Sequence, residues 1–386
     1  MKNNFRADHI IALKKLAYMC NFYRIHKQSN SVCLQRILLT QLVINIIVNR
    51  EENIKFKVLL IIVKVMSNKT SVIITAHNRK KYILEALSSV INNNLPKDKL
   101  EIIIVKNYKD DVIDSEIERL SKQYNIISLI ENDFRLGAKI SKGIKSSSGD
   151  VITFLEDDDI YFPARLSNIF QIFEKDSNII FYHNMFEIVG DKRINEIVSD
   201  YKHSTILACN DKREIWKQIA KTEAKFNLSS MAIRASILRS WMDLIPRINL
   251  AVDNTLFYIS LTEKGCLMID PRILTKFRVS DKKDYTKNER ELYPFVQFMT
   301  EKFYEDFILL HSIFRDSYFD YSLREGLLFW HLKYRILSEK NTTNYNINIT
   351  KFLDILFRNK LFIILYFISL LPYGIRKYFI NRYFIR

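Results

Sequence analysis

The segment Val151-Ile-Thr-Phe-Leu-Glu-Asp-Asp-Asp-Ile-Tyr-Phe-Pro163 decides the fold. Its first five residues are mostly apolar without polar alternation, which is typical of a strand buried on both faces of a parallel sheet. Four carboxylates, Glu156 to Asp159, follow directly, and a helix is predicted over residues 163–173. Because ligands of open α/β sheets bind outside the carboxyl ends of the strands, this segment predicts a sheet and a site together.

Strands and helices alternate on the N-terminal side of this segment. Each predicted helix is amphipathic, and each predicted strand is short and apolar. This alternation predicts an α/β fold in which helices cover both faces of a mostly parallel sheet. The predicted strands are residues 71–75, 101–105 and 126–130, and the predicted helices are residues 81–92, 115–124 and 138–147.

The run of four carboxylates has two interpretations. Acidic residues before a helix stabilise its positive N-terminus, by roughly 0.3–1 kcal/mol each. Four in succession exceed that need, because their mutual repulsion outweighs the gain unless a cation is present. Hard divalent ions bind carboxylate and phosphate oxygens together. The run therefore favours a site for Mg²⁺ or Mn²⁺ with a diphosphate, and the helix-capping interpretation stays open.

Glycine and proline are scarce, with 7 and 6 residues in a chain of 386. This scarcity excludes collagen-like sequence, flexible linkers and turn-dense β-sandwiches. Gly137, Gly143 and Gly149 nevertheless lie close together just before the carboxylates. We expect tight backbone turns at these glycines, where a diphosphate would bind.

The net charge of +16 is concentrated at the two ends of the chain. Residues 1–66 contain 11 basic and 3 acidic side chains, residues 331–386 contain 10 and 2, and the remainder is balanced. A nucleic-acid enzyme would instead spread basic residues around its site. The distribution predicts an anionic membrane surface as a partner and no nucleic acid.

The four cysteines are far apart, which predicts neither a zinc site nor a disulfide and favours a reducing compartment. The longest apolar window, residues 361–372, is too short for a spanning helix. His183, in an apolar segment, is expected to be a hydrogen-bonded core residue.

Four segments in order resemble the family-2 glycosyltransferases of the GT-A fold: residues 72–79, 101–105, 137–150 and 154–163. The resemblance covers about residues 70–285 and implies a nucleotide-sugar donor. Its D-x-D positions fall on Glu156 and Asp158, with Asp158 as the principal metal contact. Asp159 is a further metal candidate and Asp157 a donor contact. The loop after the first strand would lie against the nucleobase; its residues are Thr75, Ala76, His77, Asn78 and Arg79.

Three positions depart from the family pattern. Lys106 stands where the family has an aspartate near the base, so the donor nucleotide cannot be carried over. The glycine-bearing loop lacks the family's arginine, and Lys139 is the candidate cation near the diphosphate, with Lys142 as an alternative. Ser280 stands where many members have a metal-binding histidine, and Asp281 is a candidate substitute.

The acceptor half should contain a general base that removes a proton from the attacking hydroxyl. The resemblance places it before a helix well downstream of the metal site, at Asp253. A simple helix N-terminal acid is the alternative for this residue. Ser229 and Ser230 are candidates for the acceptor pocket.

Three regions are expected along the chain. Residues 1–66 are expected to form a basic helical extension, with the alternative that translation begins at Met66. Residues 67–285 are expected to form the GT-A domain, and residues 286–386 a helical region. In the last region, the apolar stretch 361–371 and the segment 375–386 predict a membrane-interfacial tail, with Ile375, Phe379, Ile380, Tyr383 and Phe384 on one face and Arg376, Lys377 and Arg382 around it.

The combined expectation is a metal-dependent inverting glycosyltransferase that uses Mn²⁺ or Mg²⁺. It would transfer sugar to a lipid-linked, glycan or protein-glycan acceptor, as a cytoplasmic protein associated peripherally with the membrane. Two alternatives stay open. One is a nucleotidyltransferase of similar fold, and the other is a non-catalytic protein that binds nucleotide-sugar or glycan.

Overall fold

The computed structural model describes residues 69–190, 205–209, 212–279, 289–339, 355 and 360–383. The predicted N-terminal extension, residues 1–66, lies outside these residues, as do Ser280 and Asp281. Within them, nine strands form one sheet. Their order across the sheet is β3 (Ile126–Ile130), β2 (Leu100–Lys106), β1 (Thr70–Ala76), β4 (Val151–Glu156), β8 (Met231–Arg234), β6 (Ile179–Val189), β9 (Cys266–Arg278) and β5 (Ile160–Tyr161), with β7 (Ile206–Ala208) paired to β9.

The first four strands are parallel, as the sequence predicts. Their interior positions are rich in buried isoleucine and valine, which suits a sheet covered on both faces. Because β1 lies between β2 and β4, the chain leaves β1 toward one side of the sheet and later returns on the other. This strand order creates a crevice at the carboxyl ends of β1 and β4. The strands are β1 (Thr70–Ala76), β2 (Leu100–Lys106), β3 (Ile126–Ile130) and β4 (Val151–Glu156).

Four helices accompany these strands, and all were predicted within a few residues. Helix α2 begins earlier than expected because Asp110 caps it, accepting a hydrogen bond from the backbone N–H of Ile113 at 3.1 Å. The helices are α1 (Ile83–Ile91), α2 (Asp111–Ser121), α3 (Leu136–Ser146) and α4 (Arg165–Lys175).

The second half of the sheet is mixed. Strand β8 pairs antiparallel with both β4 and β6, and β6 pairs parallel with β9. The short β5 pairs with β9, so the chain that leaves the carboxylate run is fixed at once to a distant strand. These strands are β5 (Ile160–Tyr161), β6 (Ile179–Val189), β7 (Ile206–Ala208), β8 (Met231–Arg234) and β9 (Cys266–Arg278).

The C-terminal region is helical, as predicted. Stacked aromatic rings join α8 and α9, with ring centroids 4.3 Å apart for Phe303 and Trp330. None of the helices in the described part of the chain has the length and apolarity that crossing a membrane requires. The remaining helices are α5 (Trp216–Ile219), α6 (Ala235–Ser240), α7 (Val252–Thr262), α8 (Glu289–Phe314), α9 (Asp320–Leu337), α10 (Lys360–Leu370) and α11 (Tyr373–Tyr383).

The prediction that the three clustered glycines make turns for a diphosphate is wrong. Gly137 and Gly143 lie inside α3, where the protein's own atoms approach them. A Cβ on Gly137 would lie 2.1 Å from the carbonyl oxygen of Ile245, and one on Gly143 would lie 2.6 Å from Cγ2 of Ile73. A Cβ on Gly149 would lie 2.5 Å from Oγ of Ser71. These glycines allow close packing of α3 and of the start of β4.

The prediction that the cysteines are unpaired is also wrong. Cys209 and Cys266 form a disulfide across the β7–β9 pair, with their Cα atoms 4.0 Å apart. They are separated by 57 positions in the sequence, so only the strand pairing brings them together. The cysteines therefore do not favour a reducing compartment.

Close packing at Gly137 predicts a large effect of one added methyl group. Gly137→Ala should lower the free energy of unfolding by about 1–3 kcal/mol or more, because the backbone carbonyls of Ile245 and Ile248 cannot move aside as a side chain could. Gly374→Ala is the matched control, since its Cβ would meet nothing within 4 Å. Chemical denaturation of both variants checks this, and equal stabilities would contradict the packing described.

Candidate active site

The carboxylate run forms a tight turn at the carboxyl end of β4. The backbone N–H of Asp157 donates to the carbonyl oxygen of Thr75 at 3.0 Å, and that of Asp159 donates to the carbonyl of Glu156 at 3.1 Å. The N–H of Glu156 donates to Oγ of Ser229 at 3.0 Å. The turn is thereby fixed between the end of β1 and the short 3-10 helix that precedes β8.

The carboxylates of this turn are buried. Asp157, Asp158 and Asp159 are 1%, 6% and 1% exposed. Burial raises the pKa of Asp157 to about 7 and that of Asp159, where Asp158 adds repulsion, to about 8. Burial and the neighbouring aspartates also raise the pKa of Glu156 well above its usual range. The raised pKa values mean that the ionised forms of these carboxylates are disfavoured in the turn, and a cation bound there would stabilise them.

Arg79 supplies positive charge to this turn. Its Nη1 donates to Oδ2 of Asp158 at 2.5 Å, while Nη2 donates to Oδ1 of Asp158 at 2.9 Å and to Oδ1 of Asp157 at 2.5 Å. The guanidinium thus spans both aspartates and is itself only 13% exposed. The sequence placed Arg79 against the nucleobase; the structure places its side chain on the carboxylates.

Arg278, at the end of β9, holds the other side of the turn. Its backbone N–H donates to Oδ1 of Asp159 and its Nε donates to the carbonyl of Asp158, both at 2.9 Å. Its Nη2 pairs with Glu85 of α1 at 2.9 Å. Sequence reasoning missed this residue, because the β5–β9 pairing that brings it near was not predicted.

The donor atoms of the turn suit a divalent cation in part. Among the residues that the structure describes, Oδ2 of Asp157 and Oδ2 of Asp159 are buried and have no hydrogen-bond partner, which fits oxygens that could bind a hard cation. Within the described ranges, however, no three His, Cys, Asp or Glu side chains already form a metal-ligating group. The chemistry of the turn therefore fits a cation whose coordination would be completed by other oxygens, such as those of a diphosphate.

The loop after β1 is fastened to the loop after β2 by two asparagines. Asn78 adopts a left-handed backbone conformation with φ of 58°. Its N–H donates to Oδ1 of Asn107 at 2.8 Å, and Nδ2 of Asn107 donates back to Oδ1 of Asn78 at 2.7 Å. The neighbouring His77 is exposed, and its partial desolvation with nearby Lys139 and Arg79 lowers its pKa to about 4. His77 is therefore neutral near pH 7.

The two lysines proposed for donor binding are engaged within the protein. Lys106 is 1% exposed, and its Nζ bonds to Asp114 at 2.6 Å and to the carbonyl of Tyr108 at 2.7 Å. Lys139 is also 1% exposed, and its Nζ donates to the carbonyl of Asp133. A direct contact of either ammonium group with the donor stays a prediction.

Asp253 lies in the first turn of α7, and its negative charge is one of the causes that raise the pKa of Glu156. Burial raises the pKa of Asp253 itself to about 6, against hydrogen bonds from Asn254 that lower it. The backbone N–H of Asn254 donates to Oδ1 of Asp253 at 2.7 Å. The candidate base therefore interacts electrostatically with Glu156 of the acidic turn, and its role as a base stays a prediction.

The segment before Asp253 is held by Asp306 of α8, which is 1% exposed. Its carboxylate accepts hydrogen bonds from the backbone N–H groups of Asn249, Leu250 and Ala251, at 2.8, 2.7 and 2.9 Å. This role was not predictable from the sequence, because Asp306 lies within an aromatic helix far along the chain. The helical C-terminal region therefore helps to position the candidate base.

Ser229 and Ser230 are fully buried. Ser229 contacts the backbone of Glu156, as described, and Oγ of Ser230 accepts from Nδ2 of Asn227 at 3.0 Å. Both serines lie in the 3-10 helix Leu228–Ser230, which contacts the carboxylate turn through Ser229. Contact of either serine with an acceptor stays a prediction. His183 is fully buried and bonds through Nε2 to the carbonyl of Phe226 at 2.9 Å, which confirms the core role predicted for it.

The amino-acid sequence is similar to those of known glycosyltransferases. Residues 71–239 match the family described as Glycosyl transferase family 2. An uncharacterized glycosyltransferase of Haemophilus influenzae is 28% identical over 220 residues, an alignment that covers 54% of this chain and 65% of the relative. A poly(ribitol-phosphate) beta-glucosyltransferase of Bacillus spizizenii is 32% identical over 94 residues, covering 24% of this chain and 15% of the relative. The chain thus spans less than two thirds of either relative.

Among solved structures, residues 1–349 of S. aureus TarS resemble this chain with a TM-score of 0.50 and 15% identity. The likeness covers 75% of this chain and 79% of that one. At this identity it shows a shared GT-A fold, including part of the region beyond the family match.

Proposed function

We propose that the protein is an inverting transferase that moves a sugar from a nucleotide-sugar donor to a hydroxyl of an acceptor, because residues 71–239 match the family described as Glycosyl transferase family 2. The observation that carries this proposal is the turn of buried carboxylates at the end of β4, with Asp253 near enough for its charge to act on Glu156. A negatively charged turn suits a cation with a diphosphate, and a second carboxylate suits a base. A lipid-linked or glycan acceptor, including a protein glycan, remains the substrate class proposed from the sequence.

The donor would lie across the carboxyl ends of β1 and β4. The loop of Thr75 to Asn78 would line the nucleobase and ribose, with Asn78 held in place by Asn107, while the side chain of Arg79 lies on the carboxylate turn. Asp158 would be the principal holder of Mn²⁺ or Mg²⁺, with Glu156 and Asp159 beside it and Asp157 toward the donor. When bound, such a cation neutralises charge on the departing diphosphate.

Asp253 would act on the other substrate. Its carboxylate accepts the proton of the acceptor hydroxyl as that oxygen attacks the anomeric carbon from the face opposite the diphosphate, which inverts the configuration. The hydrogen bonds from Asn254 orient the carboxylate, and Asp306 fixes the backbone that carries it. A pKa of about 6 leaves Asp253 mostly ionised, and still basic, at neutral pH.

Product analysis tests this function. UDP-, GDP- and dTDP-sugars are incubated with the protein and Mn²⁺, and release of a nucleoside diphosphate with sugar transfer or hydrolysis is expected. Asp253→Asn should lose turnover by ~100-fold or more yet keep the donor-induced thermal shift. Since the base must be unprotonated, wild-type turnover should fall as pH drops through about 6.

Asp243→Asn, which neutralises an exposed aspartate, is the matched control and should keep full turnover. Pyrophosphate release would favour the nucleotidyltransferase alternative. Donor binding without release of any product would favour a non-catalytic binding protein. Full turnover by Asp253→Asn would contradict the proposed base.

A membrane surface is the proposed location. Helix α10 buries Phe362 and Leu365 against the protein but exposes an apolar strip to solvent. The strip comprises Leu361, Ile364, Phe367 and Leu370, which are 48–62% exposed, and Ile375 and Tyr378 of α11 continue it. Basic residues outnumber acidic ones strongly in this region, so an anionic lipid surface suits the strip.

One expected feature of this tail is wrong. Arg376, predicted to surround the membrane face, is only 4% exposed and donates to the carbonyl of Arg335 in α9. Of the other predicted residues, Phe379 is partly buried. The side chains of Lys377, Ile380, Arg382 and Tyr383 and the whole of Phe384 lie outside the described residues. The cytoplasmic side stays a prediction of the sequence, now without support from the cysteines.

Vesicle co-flotation tests the location. With vesicles of phosphatidylglycerol and phosphatidylethanolamine, the wild type should float, and the Ile364→Ser, Phe367→Ser variant should remain mostly in the dense fraction. Val112→Ser is the control, because Val112 is 75% exposed on α2, away from the tail. Equal flotation of all three proteins would contradict insertion of the strip.

A further inference from the structure

Arg79 occupies the oxygens that the proposed cation would need. Both side-chain oxygens of Asp158 accept hydrogen bonds from its guanidinium, and Asp157 accepts a third. The guanidinium of Arg278, by contrast, is directed to a backbone carbonyl and to Glu85. In the described structure, Arg79 is therefore the cation that neutralises the aspartates of the turn.

Two cations cannot share these carboxylates without cost. A metal ion bound to Asp158 would lie within a few ångströms of the guanidinium in a buried site, where like charges repel strongly. Both carboxylate oxygens of Asp158 also accept hydrogen bonds from the N–H groups of Arg79, which fix their orientation toward the guanidinium. Binding of a metal to Asp158 and the present position of Arg79 are thus in competition.

Resting on the transferase function proposed above, we infer that Arg79 is an internal counter-cation that moves from Asp157 and Asp158 to the donor diphosphate when metal and donor bind. A guanidinium binds diphosphate oxygens as readily as carboxylates, in the same two-pronged geometry. The donor therefore provides the partner that Arg79 loses, and the arginine changes from a competitor of the metal into a contact for the leaving group.

The local structure allows this movement. Arg79 lies in the loop after β1, outside any helix or strand, and its side chain reaches the turn across the crevice. The backbone before it is anchored, because Asn78 is bonded to Asn107 in both directions. Rotation of one side chain is then enough to transfer the guanidinium, with no movement of the sheet.

The exchange makes metal and diphosphate binding cooperative. In the free protein, a metal must displace Arg79 and binds weakly; once a diphosphate takes the arginine, the metal binds more tightly. By thermodynamic linkage, the metal must tighten diphosphate binding by the same factor. Removing the guanidinium should therefore strengthen binding of the metal alone while weakening this coupling.

The test measures Mn²⁺ affinity without any donor, from the electron paramagnetic resonance signal of free Mn²⁺. Arg79→Gln should bind Mn²⁺ about tenfold or more tightly than the wild type, a size typical of coupling between sites. Arg119→Gln, which removes an exposed arginine paired with Glu116, is the matched control and should bind as the wild type does. Adding Asp158→Asn to Arg79→Gln should abolish the gain, which locates it at this turn.

A second arm adds UDP, GDP or dTDP. The diphosphate that binds should tighten Mn²⁺ binding to the wild type about fivefold or more, and less so for Arg79→Gln. If Arg79→Gln fails to fold in thermal melting, Arg79→Lys replaces it; a lysine keeps one charge but cannot span both aspartates, so partial tightening is expected. Unchanged or weaker Mn²⁺ binding by the variant overturns the inference. Sugar transfer by the wild type is measured separately, so this failure is distinct from failure of the proposed function.

Discussion

Repulsion among four adjacent carboxylates, three of them buried, at the carboxyl end of β4 is the constraint on which the site depends. Such a turn is unstable unless other groups hold it, since burial strengthens every like-charge contact. The structure provides those groups from three distant places: Arg79 after β1, Ser229 before β8 and Arg278 at the end of β9. The turn thus contacts both halves of the sheet. The raised pKa values of Asp157 and Asp159 mean that their ionised forms are disfavoured, and a further cation would stabilise those forms.

The strand order explains why these groups meet. With β1 between β2 and β4, the loop after β1 opens directly onto the carboxylate turn. The antiparallel β8 and the long β9 then form the opposite wall, and β5 fastens the chain beyond the turn to β9. Asp306 of α8 adds the last support, because it holds the backbone that presents Asp253. The C-terminal helices in this way help to position the candidate base, besides carrying the strip proposed to contact lipid.

Much of the parallel half could be predicted, because buried strands and amphipathic helices alternate with a clear period up to β4. The acidic turn and Asp253 could be found as well, since their residue types and order match a known pattern. The contacts of Arg79, Arg278 and Asp306 could not, because they depend on strand pairing and helix packing between residues far apart in sequence. For the same reason, the Cys209–Cys266 disulfide and the packing role of Gly137 and Gly143 could not be predicted from the sequence.

The proposed function depends on binding of the donor diphosphate, through a cation, to the turn after β4. The most direct measurement is Mn²⁺-dependent release of nucleoside diphosphate by Asp158→Asn, compared with the wild type under identical conditions. We expect a loss of ~100-fold or more in turnover, since a bound metal contributes several kcal/mol to such reactions. Thermal melting should show an intact fold, because the substitution also removes one repelling charge. Full turnover by a folded Asp158→Asn protein would contradict the account.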